Sequence, residues 1–179
     1  MHKQKVINIL IFTVLLISAH RLQAQEINWI KVDTAFILQK ENPKKIFVDV
    51  YTDWCYWCKV MERKTFPNEQ VYNYLNAHFY ASRFDAECGD TLSFLGKTFA
   101  PNYLGKYNRL ATELLHEQMV FPSYSFIDEN GASIAVVPGY WKPDAFLKLL
   151  IYINKEYYKL NSWTDFDKKY TLEDLISSE

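Results

Sequence analysis

Cys55 and Cys58 stand in the run Lys-Ile-Phe-Val-Asp-Val-Tyr-Thr-Asp-Trp-Cys-Tyr-Trp-Cys-Lys-Val-Met, residues 45–61. On a helix, positions i and i+3 share one face about 4.5 Å apart along the axis. That fits the Cα separation of roughly 4.4–6.8 Å that a disulfide tolerates. A thiolate at Cys55 in a first helical turn would meet unpaired N–H groups and the positive end of the helix dipole. Such surroundings lower a cysteine pKa from ~8.5 to about 3.5–7.5. Cys55 would then attack and Cys58, one turn deeper, would resolve the mixed disulfide. Three plainer readings stand beside this one. The pair could be half of a zinc site, although Cys88, His78 and His116 supply no second C-x-x-C or H-x₃-H pair. It could be a structural disulfide, or two buried and inert thiols. Asp53 and Trp54 ahead of Cys55 argue for an exposed junction rather than a buried one.

The neighbouring residues must position these sulfurs. Residues 46–51 are β-branched and aromatic apart from one acid, which suits a buried strand. Thr52 and Asp53 end it, Asp53 is a good N-cap, and residues 55–64 lack Gly and Pro, so the strand should pass directly into a helix. Inside the strand stands Asp49. A carboxylate among Ile, Phe and Val is costly unless it has a partner or a task, or points out of an edge strand into water.

The segment V-D-V-Y-T-D-W-C-Y-W-C-K resembles the active-site segment of the thioredoxin superfamily. The longer pattern C-x-x-C-K-V-M-E-x-x-T-F, continuing to V-x-x-x-L-N-x-H-F and D-A-E, is similar to secreted thioredoxin-like proteins of the thiol:disulfide interchange reductase type. The similarity runs, with one insertion, from about Trp29 to about Tyr158. It implies a three-layer α/β fold, a central mixed sheet flanked by helices. It implies that Asp49 is a buried proton relay for Cys58, its pKa raised towards neutrality by burial. The lysine that partners this acid in thioredoxins is missing: Ala81 falls near its place, and Arg83 is the substitute at hand. The resemblance also implies that Phe121-Pro122, in V-F-P-S-Y, is a cis peptide beside the cysteines. Position alone would leave that bond trans, because cis occurs in only ~5–6% of folded X-Pro bonds. Phe121 would offer its backbone to an extended substrate, and Trp54, Tyr56 and Trp57 would border the same surface.

A chain of 179 residues, 49% hydrophobic and 17% aromatic, fits one domain with a real core. His2, Lys3 and Lys5 precede an apolar run over residues 6–17 and a polar stretch to Ala24. This reads as a signal peptide of residues 1–24, too short to span a bilayer, with an uncleaved anchor as the alternative. Losing Lys3, Lys5 and Arg21 would take the net charge from −1 to −4. That balance gives nucleic acid no basic surface, and export removes the pair from the cytosolic thiol buffer. The expected chain is therefore a periplasmic or secreted monomer, free of the membrane once cleaved. Residues 25–179 form the domain.

Along the domain, residues 27–32 alternate as a first strand suited to an edge, and Asp33 caps a helix to Lys40. Asn68 caps a helix over residues 69–77, and residues 79–84 form a strand parallel to residues 46–51. Residues 91–99 read as a small hairpin about Gly96-Lys97, inserted after the third strand. Residues 107–118 read as a helix bearing His116. Strands at residues 124–127 and 133–137 meet at an Asn130-Gly131 turn, and Pro143 opens a helix to about Tyr158. From about residue 161 a short extension follows, with no function legible in it.

No organic cofactor, nucleotide or metal motif is present. The leading expectation is a thiol-disulfide oxidoreductase acting on exported proteins, with reduction favoured and an unidentified redox partner. The rival is a binding module in which Trp54, Tyr56 and Trp57 hold a partner and the cysteines only staple the fold.

Overall fold

The computed structural model describes residues 26–103 and 105–177; the expected signal peptide lies outside them. The chain forms α1 (Val32–Glu41), β1 (Lys45–Tyr51), α2 (Tyr56–Lys64), α3 (Glu69–His78) and β2 (Phe79–Asp85). A hairpin of β3 (Leu92–Phe94) and β4 (Lys97–Phe99) follows, then α4 (Arg109–Leu114), β5 (Ser123–Ile127), β6 (Ser133–Pro138) and α5 (Pro143–Asn154). The extension adds a 3₁₀ turn at Tyr157–Lys159, α6 (Trp163–Lys169) and α7 (Leu172–Ile176).

The main sheet runs β2-β1-β5-β6. β1 and β2 are parallel, while β1–β5 and β5–β6 are antiparallel. This is the mixed three-layer arrangement expected. Alternation along β1 builds both cores, since successive side chains face opposite sides. Ile46, Val48 and Val50 pack with Val32 and Ala35 of α1 and Leu110, Ala111 and Leu114 of α4. Phe47 packs on the other side with Met61 of α2, Val71 and Leu75 of α3, and Phe146 and Leu150 of α5. Asp49 shares the Phe47 side, beneath α2.

Several local expectations are corrected. Residues 27–32 are not a strand: Ile30 makes one parallel bridge to Ser82, and Val32 already starts α1. Counting that bridge as a first strand, the β3–β4 hairpin follows the third, as expected. Its turn is Leu95-Gly96, both at positive φ, one residue earlier than the Gly96-Lys97 reading. α4 is half the expected helix, because His116 and Glu117 are left-handed and end it. α5 stops at Asn154, where Glu156 turns left-handed. The Asp128–Gly131 turn is as read: Asp128 Oδ1 accepts the amides of Asn130 and Ala132, and Gly131 has φ +85°.

The extension is a packed part of the core. Phe166 is fully buried, with ring centroids of Tyr152, Tyr157 and Tyr170 within 5.2 Å of its own. Lys148 of α5 reaches across to Asp167 Oδ1 at 2.7 Å. Trp163 meets Trp141 edge-on at 5.5 Å.

Candidate functional site

β1 delivers the chain to the site and α2 holds it there. Cys55 and Cys58 are joined in a disulfide with a Cα separation of 5.3 Å. The N-cap of α2 is Cys55 itself rather than Asp53: its Sγ accepts the Cys58 amide at 3.0 Å. Sulfur thus takes the place of a capping oxygen and satisfies one of the otherwise unpaired N–H groups of the first turn. Both cysteines are buried, at 4% and 2% exposure, so the expected exposed junction holds only for their neighbours. Trp54, Tyr56 and Trp57 are at least half exposed.

These aromatics form two contacts with the rest of the rim. Trp57 stacks on Tyr140 at 5.3 Å, with Tyr56 edge-on to Trp57. Trp54 meets Phe121 edge-on at 6.0 Å. That contact places the Phe121–Pro122 peptide, which is cis, beside the cysteine segment. Below, Met61 anchors the opposite wall: its Sδ accepts the Trp141 amide, and Thr65 donates to the Trp141 carbonyl at 2.6 Å.

The thioredoxin-like domain family matches residues 32–154. The chain belongs to that family. Among solved structures, this thioredoxin-like protein is similar to a thioredoxin-fold protein from Helicobacter pylori, with 18% identity and a TM-score of 0.56. That likeness covers 76% of this chain and 84% of the other. A thioredoxin from Thermus thermophilus is similar at 18% identity and a TM-score of 0.54, over 72% and 87% of the two chains. These likenesses concern the fold. Spermatogenesis-associated protein 20 of Rattus norvegicus is 38% identical over 53 residues, which are 30% of this chain and 7% of that protein. The chain thus spans a small part of the curated relatives it matches. Within the thioredoxin-like fold, a disulfide-bonded C-x-x-C pair is consistent with a redox-active site.

The acid of the thioredoxin-like site is placed by register. Asp49 lies opposite Arg83 on β2 and opposite Tyr124 on β5. Cross-strand partners project to the same face, so a buried carboxylate, a cation and a phenol converge. Arg83 Nε donates to Asp49 Oδ2 at 3.1 Å, and Arg83 Nη2 donates to Glu62 of α2 at 2.5 Å. Arg83 is thus the cation beside Asp49, where the sequence offered it as a substitute for lysine. Asp49 is 1% exposed. Its Oδ1, the Thr52 hydroxyl and the Tyr124 hydroxyl are buried and make no hydrogen bond among the described residues. Burial lifts the Asp49 pKa from 3.8 to about 6; Arg83 opposes that rise and Glu62 adds to it. Burial, and secondarily the Asp49 charge, also holds the Tyr124 hydroxyl firmly protonated.

A raised carboxylate pKa means that the folded chain binds a proton more tightly than the unfolded chain. Stability from this group is complete below the unfolded value near 3.8 and is lost as pH rises through about 6. At 1.36 kcal/mol per pKa unit the loss is about 3 kcal/mol. Asp49→Asn should therefore match the parent near pH 4 and exceed it by about 2–3 kcal/mol at pH 8. Denaturant unfolding of the oxidised proteins at both pH values checks this, and equal differences at the two would count against a buried, uphill carboxylate.

The third cysteine, Cys88, is free and half-buried. The Asp90 amide donates to its Sγ at 3.4 Å, and burial pushes its thiol pKa up. The sequence reading missed Glu62, Tyr124 and Tyr140. Only the first carried a signal, being four residues past Cys58 on the same helical face.

Proposed function

We propose that this protein is a thiol-disulfide oxidoreductase of exported proteins, working as a reductase. The observation that carries the reading is the Cys55–Cys58 disulfide at the mouth of α2, bordered by the cis Phe121–Pro122 peptide and an exposed aromatic rim. In the reduced state the Cys58 amide that caps onto Cys55 would stabilise a thiolate there.

The Cys55 thiolate attacks one sulfur of a substrate disulfide, and the substrate's other sulfur leaves as a thiolate. Cys58 gives its proton to Asp49 and attacks Cys55 Sγ. The substrate's second sulfur then leaves and is protonated, so the dithiol's two electrons end on the substrate. A dithiol partner protein must afterwards reduce the Cys55–Cys58 bond. Arg83, held by Glu62, keeps the Asp49 carboxylate oriented across the cycle, and the pKa of about 6 suits an acid that takes and returns a proton near neutrality. Trp54, Tyr56, Trp57 and Phe121 supply the surface on which an extended substrate strand lies. The reading includes export by residues 1–24 and action as a monomer. Among the described residues no helix is long and apolar enough to cross a membrane.

Redox titration against glutathione and dithiothreitol, followed by brief iodoacetamide labelling of the reduced protein, tests this reading. The expected results are a potential above about −300 mV and label on Cys55 well before Cys58. A potential far below that value, with both thiols equally slow, would instead mark a staple in a binding module.

A further inference from the structure

Lys106 belongs to the loop before α4, yet its ammonium sits at the cysteine rim. Its Nζ is 4.3 Å from the centroid of the Trp54 ring and 5.4 Å from that of Tyr107. Glu87 Oε1 is 3.4 Å away. The other Glu87 oxygen accepts the Trp54 indole N–H at 3.0 Å, which fixes the ring whose face the ammonium covers. Phe121 closes the box, edge-on to Trp54 and 5.4 Å from Tyr107. Ring faces carry negative potential, and a carboxylate beside them completes a receptor for a cation.

We propose that this box is a subsite for a basic side chain, Lys or Arg, next to the reacting cysteine of the protein substrate. Lys106 fills it in the free protein. The proposal rests on the oxidoreductase reading and adds the substrate class. Two observations and one general argument support it. The box is built on Trp54, the residue before Cys55, and on Phe121, the residue before the cis-proline, so a cation held there stands beside the exchanging sulfur. Lys106 is a displaceable occupant: its side chain is 58% exposed, and an exposed lysine pair is weak and pays side-chain entropy. A substrate residue delivered by a docked chain arrives at high effective concentration, and an arginine brings a flat guanidinium that stacks on indole better than an ammonium does.

The experiment uses the reduced full-length protein and short peptides closed by a disulfide, identical except for Lys, Arg, norleucine or Glu beside one cysteine. Second-order rate constants come from acid-quenched chromatography. Wild type should prefer Lys over norleucine about threefold, with Arg higher and Glu lowest. In Lys106→Met, where the competing ammonium is gone and the stem remains, the preference should widen to about tenfold. Adding Glu87→Gln to that variant should bring the ratio back towards one. Ratios near one throughout, or a Lys106→Met that slows every peptide equally, would overturn the subsite and make Lys106 a brace for Trp54. Reduction of the norleucine peptide by the wild-type protein at an ordinary rate in those cases leaves the oxidoreductase reading standing. Failure of every peptide with every variant takes down both.

Discussion

Cys55→Ser is expected to bring disulfide reduction down to the rate of uncatalysed exchange, while Cys58→Ala should react once and remain attached to its substrate. The two outcomes differ because the proposed cycle gives the sulfurs different work. Cys55 is the N-cap whose sulfur receives the Cys58 amide, which in the proposed cycle is the position where a thiolate would be stabilised and from which attack would start. A serine hydroxyl at neutral pH offers neither the charge nor the polarisability for that step. Cys58 lies deeper on α2, at 2% exposure, and in the proposed cycle its task begins only after a mixed disulfide exists. With alanine at 58, each chain should hold one substrate, visible as a higher band on non-reducing gels that reductant collapses. Cys88 is the other thiol that could release it, so the cleaner measurement adds Cys88→Ala. A Cys58→Ala protein that turns over repeatedly, or a Cys55→Ser protein that still traps substrate, would reverse the assignment of attacking and resolving sulfur.

The second large effect lies far from the sulfurs. Phe166→Ala should cost about 3–5 kcal/mol, the usual range for emptying a buried aromatic site. Phe166 is fully buried and ringed by Tyr152, Tyr157, Trp163 and Tyr170. Those neighbours are large and held by one another, so they cannot collapse into the space. Denaturant unfolding should show a lower midpoint at unchanged slope. A cost below about 1 kcal/mol would mean that α6 rests on the domain without belonging to its core. The same variant should leave labelling of Cys55 unaffected at low denaturant, since Phe166 lies on α6 and touches neither sulfur.

The parts legible in the sequence were those where one residue type has one physical job. The apolar run of β1 and the absence of Gly and Pro after Cys55 led directly to the strand and the helix, and the C-x-x-C spacing fitted a disulfide while leaving zinc or inert thiols open. Asp49 stood out because a carboxylate in that run has to be accounted for. The cis state of Phe121–Pro122 came from family resemblance, since position alone favours trans. What escaped depends on register and on the tertiary surroundings. Arg83 could be suggested as the partner of Asp49, but only the parallel pairing of β1 with β2 puts the two opposite each other. Tyr124 needed the antiparallel register as well. Residues 27–32 alternate as a strand would, but only Ile30 finds a bridge. The extension reads as a short packed piece, and it is one; its two short helices were not legible because its apolar residues are spread thinly over them. Phe166 and Leu175 join the same buried cluster as the residues of α5, a pairing that only the tertiary packing reveals.

The sulfur that closes the first turn of α2 also has an evolutionary consequence. In the proposed function position 55 answers to two constraints at once: it must bear a nucleophile for chemistry and an acceptor for the Cys58 amide. Loss of selection for thiol exchange would relax the first and leave the second, worth about 1 kcal/mol in a typical cap. A descendant that kept this fold while abandoning redox work would then drift at position 55 towards Ser, Thr, Asn or Asp. The aliphatic residues that a site with 4% exposure would otherwise welcome would be disfavoured. Position 58, which donates through its backbone, carries no such restriction and would be free to become any small apolar residue.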